Sequence, residues 1–195
     1  MALTPEMDYL MNSISCVLCN GAQHTNIQIV EHDKSAKLKK VNIEAVNGDW
    51  FCFSPDEGRK CKHIHKSAKN IVVMSPLLKI DAQFNHHCAC DAVLLIRQDG
   101  KLVVIYMDLK SGNSEGYSPQ FQSTRQFVRY LISLYEEFNG TKLPIDEERY
   151  VIFHTGNLNK TTTIPKQRIS QSKPNAAYKR SVKNGDTLYL KELLT

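Results

Sequence analysis

The sequence predicts an α/β domain built on a mixed central sheet flanked by helices. Three observations carry that expectation. Residues 91–97 (DAVLLIR) and 102–108 (LVVIYMD) are adjacent β-rich runs, apolar on both of their alternating faces; a long amphipathic run follows from Ser118 to Phe138; and Tyr150–His154 is a further apolar strand. Strands without a polar face are covered on both sides. The order strand, strand, helix, strand brings the last strand parallel to its neighbour through a crossover. At 195 residues the chain suits one domain with a genuine core. We divide it into a core of about 71–155, an N-terminal extension 1–70 and a basic C-terminal segment 156–195.

No apolar run approaches the roughly 20 residues that span a bilayer, so a soluble protein without a membrane partner is expected. The opening MALTPEMDYLMN carries acids where a secretory signal would want bases, which predicts cytoplasmic residence. The six cysteines are then read as reduced core or metal residues, not as a disulfide framework.

Taken in order, residues 6–19 read as a short helix. Val41–Val46 and Asp49–Phe53 read as two strands around the Asn47-Gly48 turn, a strong hairpin signal. The Lys-rich stretch 54–70 reads as a loop or a poorly defined helix. Residues 71–74 and 77–80 are strand-like but interrupted by Pro76. Ser118-Pro119 opens the long helix with a capping hydroxyl and a first-turn proline, and Asn139-Gly140 stops it. Thr187–Leu190 reads as an edge strand.

The hairpin at Asp99-Gly100 carries the chemistry. A two-residue turn there pairs Ile96 with Val103 and Leu95 with Val104; extended outward, the same register sets Asp91 opposite Asp108 on one face of the sheet. Two acids so placed repel each other unless a cation lies between them. Lys110, two residues past Asp108, projects from the same face. Hard carboxylate oxygens suit Mg²⁺ or Mn²⁺, which can acidify a water and offset transition-state charge. Lys110 would position or help deprotonate that water, which makes phosphodiester hydrolysis the expected chemistry.

The net charge of +5 is concentrated: residues 156–185 contain no Asp or Glu but hold Lys160, Lys166, Arg168, Lys173, Lys179, Arg180 and Lys183. Such a segment is either a phosphate-contacting surface or a solvated basic loop.

Asp91, a hairpin, then Asp108-Leu109-Lys110 resembles the D…(D/E)-x-K core of the PD-(D/E)XK nuclease superfamily, and the phrase CDAVLLIRQDGKLVVIYMDLKSG resembles the middle of many such domains. Gln126-Phe127-Val128-Arg129-Tyr130 is similar to the Q-x-x-x-Y motif of the RecB-like branch, although Gln122, Gln126 and Tyr130 also read as a solvent-facing stripe. The resemblance implies a restriction-endonuclease-like αβββαβ core and a Mg²⁺- or Mn²⁺-dependent nuclease acting on DNA. In it Asp91, Asp108 and the backbone carbonyl of Leu109 would hold the metal, and Gln126 and Tyr130 would align the site. It also implies a role in antiviral defence or DNA maintenance, as a homodimer or a subunit of a larger complex. An upstream metal-binding Glu is common in that family, with Glu31 and Glu44 as candidates; the motif's proline before the first acid is replaced by Cys90.

Cys16-x-x-Cys19, Cys61-x-His63-x-His65 and His86-His87-Cys88-x-Cys90 hold zinc-type ligands without a two-pair knuckle spacing. The rival readings are a degenerate nuclease fold that binds nucleic acid or a partner without cutting, and an RNA-cleaving enzyme with the same site.

Overall fold

The computed structural model describes residues 2–56, 75, 77–79, 83–112, 116–156 and 168–195. Its elements are α1 (Pro5–Asn12), β1 (Val17–Asn20), β2 (Asn26–Val30), β3 (Lys40–Glu44), β4 (Trp50–Phe53), β5 (Ala92–Gln98), β6 (Lys101–Lys110), α2 (Ser118–Asn139), β7 (Glu147–His154), β8 (Tyr178–Ser181), β9 (Thr187–Tyr189) and α3 (Leu190–Leu193). Strands β1-β4-β5-β6-β7-β8 form a six-stranded mixed sheet, and β2-β3-β9 form a smaller one.

The turn at Asp99-Gly100 sets the centre of the large sheet. Asp99 has φ 52° and Gly100 φ 78°, the two positive dihedrals that a type I′ hairpin turn requires. The ladder then runs from Gln98↔Lys101 to Ala92↔Met107, the register read from the sequence. Strand β7 joins β6 in parallel after the α2 crossover, and β8 continues in parallel beyond it.

Alternating side chains of β5 and β6 enter two cores. Leu94, Ile96, Val103 and Ile105 pack with Ile27, Ile29, Val41 and Ile43 of the small sheet and with Leu190 and Leu193 of α3. Val93, Leu95, Val104 and Tyr106 pack with Met7 and Leu10 of α1 and with Phe121, Val128 and Leu131 of α2. Each such side chain stabilises the fold by roughly 1.5–3 kcal/mol. The expectation of helices on both sides is thus corrected: one face carries α1 and α2, the other a three-stranded sheet with the four-residue α3.

Several local expectations change. Only Pro5–Asn12 of the 6–19 run is helical; Ser13 ends the helix, and Val17–Asn20 pairs with β4. The two strands around Asn47-Gly48 exist but do not form a hairpin. Neither residue takes the positive φ of a primed turn. Strand β4 has β1 and β5 as neighbours while β3 has β2 and β9, so the chain changes sheets between them. Strand β2 was not anticipated, although NIQIV buries alternate residues along its length. In α2 the capping hydroxyl of Ser118 is not used: Tyr117 is the N-cap without a side-chain bond, whereas Gly140, at φ 64°, ends the helix as expected. Residues 77–79 form a turn and bend, not a strand, while 71–74, Pro76 and Ile80 lie outside the described residues. Thr187–Tyr189 is a strand of the small sheet, parallel to β3, and Leu190 already belongs to α3. Among the described residues no helix is long and apolar enough to cross a membrane.

Candidate active site

The acids expected to be neighbours meet at one end of the large sheet. Asp91 immediately precedes β5, and one further step of the β5/β6 register sets it opposite Asp108. Its Oδ2 accepts a 2.6 Å hydrogen bond from the Leu109 N–H, so the carboxylate reaches across to the neighbouring strand. Asp108 is 1% exposed, and its carboxyl is met by two side chains, the Lys110 ammonium and the Asp91 carboxyl. Lys110 Nζ lies 2.7 Å from Asp108 Oδ2 as an ion pair. The same ammonium donates a 2.8 Å hydrogen bond to Gln120 Oε1 of α2.

Electrostatics mark the pair as strained in charge. Burial, then the charge of Asp108, hold the Asp91 carboxyl well above the ordinary carboxylate range, opposed by the Leu109 N–H. Burial likewise raises Asp108, with Lys110 pulling the other way. Two unit charges 4 Å apart repel by about 4 kcal/mol at an effective dielectric of 20, more than one ordinary hydrogen bond offsets. Glu31, just past β2, raises both acids further. Of the two upstream candidates it is the one whose charge reaches the pair, although its Oε1 also accepts the Asp33 N–H. Glu44 ends β3 on an exposed surface and lines a different groove with Asn42 and Thr187. Behind the acids, Cys90 is fully buried, its N–H held by Thr124 Oγ1 of α2 at 3.1 Å. Burial, then Asp108, push its thiol up, so it is a packing residue and not a thiolate.

On the other side of Lys110 stands a residue that sequence reasoning missed. The parallel register pairs Asp108 with Ile152 and Lys110 with His154, setting His154 on the site face at the end of β7. It is 2% exposed, and its Nε2 has no hydrogen-bond partner among the described residues. Burial, then the nearby Lys179, hold the imidazole below its usual range, while a backbone hydrogen bond with Gly156 acts in the opposite sense. Lys179 lies opposite Ile152 on β8, its Nζ 5.8 Å from the centre of the Tyr117 ring. The strand ends therefore present acid, acid and amine, imidazole, and amine in sequence across the sheet. Gln120 was missed for a related reason: the stripe Gln122, Gln126, Tyr130 was read from spacing, whereas burial of Phe121, Thr124 and Val128 sets the phase of the helix.

Asp91, Asp108, Leu109 and Lys110 are thus brought together, but Gln126 and Tyr130 are not with them. Gln126 is exposed and Tyr130 is 61% exposed. Both line a separate groove of about 880 Å³ between α2 and a segment holding Leu77, Leu78 and His86. Of the basic set, Lys160 and Lys166 lie outside the described residues. Arg168, Lys173 and Lys183 are exposed. Arg180 is tied to Glu192 at 2.5 Å. Lys179 alone of the set borders the acids' end of the sheet among the described residues.

Asp91 also lines a groove of about 520 Å³ between β1 and β2, with Leu18 and Val30 as well as His24, Asn26 and Gln28 in its wall. Among the described residues no group of three or more His, Cys, Asp or Glu side chains is arranged to hold a metal ion. Cys61, His63 and His65 lie outside them, and among the described residues Cys16, Cys19, Cys52, Cys88 and Cys90 form no disulfide. A two-carboxylate site is smaller than such a group. The hard carboxylate oxygens of Asp108 beside Asp91 are of the kind that suits a small cation which keeps waters and takes its remaining ligands from substrate.

Comparisons with protein-family models, with curated proteins and with solved structures found no match to this chain.

Proposed function

We propose that the chain is a metal-dependent nuclease of PD-(D/E)XK type that hydrolyses DNA phosphodiester bonds with Asp91, Asp108 and Lys110. The single observation that carries this reading is the meeting of two acids at one sheet end, Asp108 at 1% exposure and Asp91 opposite it, with the Lys110 ammonium 2.7 Å from Asp108. Ionising both acids is costly with one ammonium beside them, and a further cation offsets that cost. The order α1, β4, β5, β6, α2, β7 supports the same family's αβββαβ core, an antiparallel meander followed by a crossover to a parallel strand.

Asp91 and Asp108, with the Leu109 carbonyl beside them, would hold a Mg²⁺ or Mn²⁺ ion. When bound, that ion supplies Lewis-acid activation of water and offsets charge on the phosphorane-like transition state. Asp91 keeps its geometry through the Leu109 N–H. Lys110, steered by Gln120, orients the attacking water and stabilises the growing charge on the phosphoryl oxygens. The apolar core beneath the pair lowers the local dielectric and strengthens each of these interactions. Lys179 and the basic C-terminal segment bind the backbone phosphates that flank the scissile one.

Supercoiled plasmid incubated with the protein and Mg²⁺ or Mn²⁺ tests this directly. Wild type should nick or linearise it, EDTA should stop the reaction, and Asp108→Ala and Lys110→Ala should each lower the rate by at least about 100-fold. If both variants cut as well as wild type, the assignment is wrong. Salt-sensitive DNA binding without any metal-dependent cleavage would identify a binding module instead, and preferential cleavage of RNA in competition would move the substrate class.

A further inference from the structure

His154 is the buried polar side chain at this sheet end that the proposed reaction leaves without a role. Three geometric facts constrain it. The parallel ladder makes it the direct neighbour of Lys110 on the site face, with strands about 4.8 Å apart. It is 2% exposed, so it does not satisfy itself with bulk water. Its Nδ1 side faces the Gly156 backbone, while Nε2 has no partner among the described residues. A buried ring nitrogen left open has lost its water without gaining a partner, and an apolar residue of similar volume would avoid that loss.

Charge decides in which state the ring waits. Facing it are Lys110 from β6 and Lys179 from β8, both cationic, with Asp108 one step further along the sheet and already engaged by Lys110. Burial and Lys179 favour the neutral ring. A neutral imidazole that donates from Nδ1 presents a lone pair at Nε2 and can receive a hydrogen bond there.

We propose that His154 is a further catalytic residue of this centre, its Nε2 accepting a hydrogen bond from the water that attacks the scissile phosphate next to Lys110. The proposal rests on the nuclease reading above and extends it to the residue that aims the nucleophile. A water that donates to the imidazole is turned so that its oxygen faces phosphorus beside Lys110. Its oxygen forms the new P–O bond while the ester P–O bond breaks. One of its protons ends on the departing alkoxide, and the other leaves with the phosphomonoester, so the step needs no co-reactant.

The test uses the full chain, supercoiled plasmid and Mn²⁺, with wild type, Asp108→Ala, His154→Leu and His154→Gln measured side by side for kcat, KM and thermal midpoint. His154→Leu removes the acceptor but fills the space, so it should melt no lower than wild type. It should cut about 100-fold more slowly, with KM unchanged. His154→Gln offers an amide oxygen and should recover about tenfold of that loss. A His154→Leu variant within threefold of wild-type kcat, beside an inactive Asp108→Ala, overturns this role and leaves the nuclease reading standing. So does a change confined to KM, or an equal loss in the Leu and Gln variants, which marks a requirement for shape alone. Wild-type protein that does not cleave at all overturns both.

Discussion

At the scale of the residue, Asp108 concentrates the conflict between burial and charge in this chain. It is buried, it faces Asp91, and the Lys110 ammonium opposes the two negative charges. Because the carboxyls of Asp91 and Asp108 are both raised, the folded chain holds their protons more tightly than the unfolded chain does. Their contribution to stability is therefore present below the ordinary carboxylate pKa and is lost as pH rises through the raised values. In EDTA the thermal midpoint should fall between pH 4 and pH 8 more steeply than in an Asp108→Asn variant. That variant should melt higher than wild type at pH 8, by about 2–4 °C for each kcal/mol of repulsion relieved. Added Mn²⁺ should raise the midpoint of wild type at pH 8, raise it little at pH 4 where the acids are protonated, and leave Asp108→Asn nearly unmoved. Differential scanning fluorimetry over the pH series checks all three, and a midpoint insensitive to Mn²⁺ at every pH would count against a cation between the acids. The pairing of these two aspartates was legible from a short stretch of chain, since one tight turn and simple counting place them. His154 was not, because its place beside Lys110 depends on where a long helical crossover returns the chain.

At the scale of the element, the β5/β6 hairpin and α2 hold the site from two sides. Gly100 sits at φ 78° with open space around its missing Cβ, so a side chain there meets conformational strain alone. Gly100→Val should destabilise the fold by about 1–2 kcal/mol in a urea titration and lower cleavage by disturbing the register that pairs the acids. Thr124 of α2 is fully buried and accepts the Cys90 N–H just before Asp91. Thr124→Val keeps the volume but strands that donor, at a cost of about 1–3 kcal/mol by the same measurement. The hairpin, the long helix and the strand after it could be read in advance because each has its own period and stop signals. The Asn47-Gly48 turn misled because a local preference for a hairpin was overridden: β3 and β4 each already have two partners, in different sheets. Strand β8 was hidden because Tyr178–Ser181 is short and only partly buried, so its basic residues read as a surface segment.

At the scale of the whole molecule, the charge along the strand ends runs from the acids to Lys179, and the basic residues separate by what they touch. Lys179 and Arg168 should each contribute to DNA binding, their Ala variants lowering the slope of log K against log salt by about 0.9 apiece. Arg180→Ala should leave that slope unchanged and instead destabilise the fold, because Arg180 is engaged by Glu192. Fluorescence anisotropy with a labelled duplex across a salt series separates these outcomes. The three layers, helices, large sheet and small sheet, explain why both faces of β5 and β6 are apolar, yet that pattern could not say what covers each face. By itself the sequence determined the hairpin, its register, the juxtaposition of Asp91, Asp108 and Lys110, and the helix that follows. All of these depend on interactions within a few residues or on a period that repeats along the chain. Only the tertiary structure decided that β3 and β4 part company, that Gln120 and not Gln126 reaches Lys110, and that His154 and Lys179 border the site. Those contacts join segments brought together by burial of apolar faces, and burial is proportional to area, carries no direction and leaves no local mark in the residues it unites.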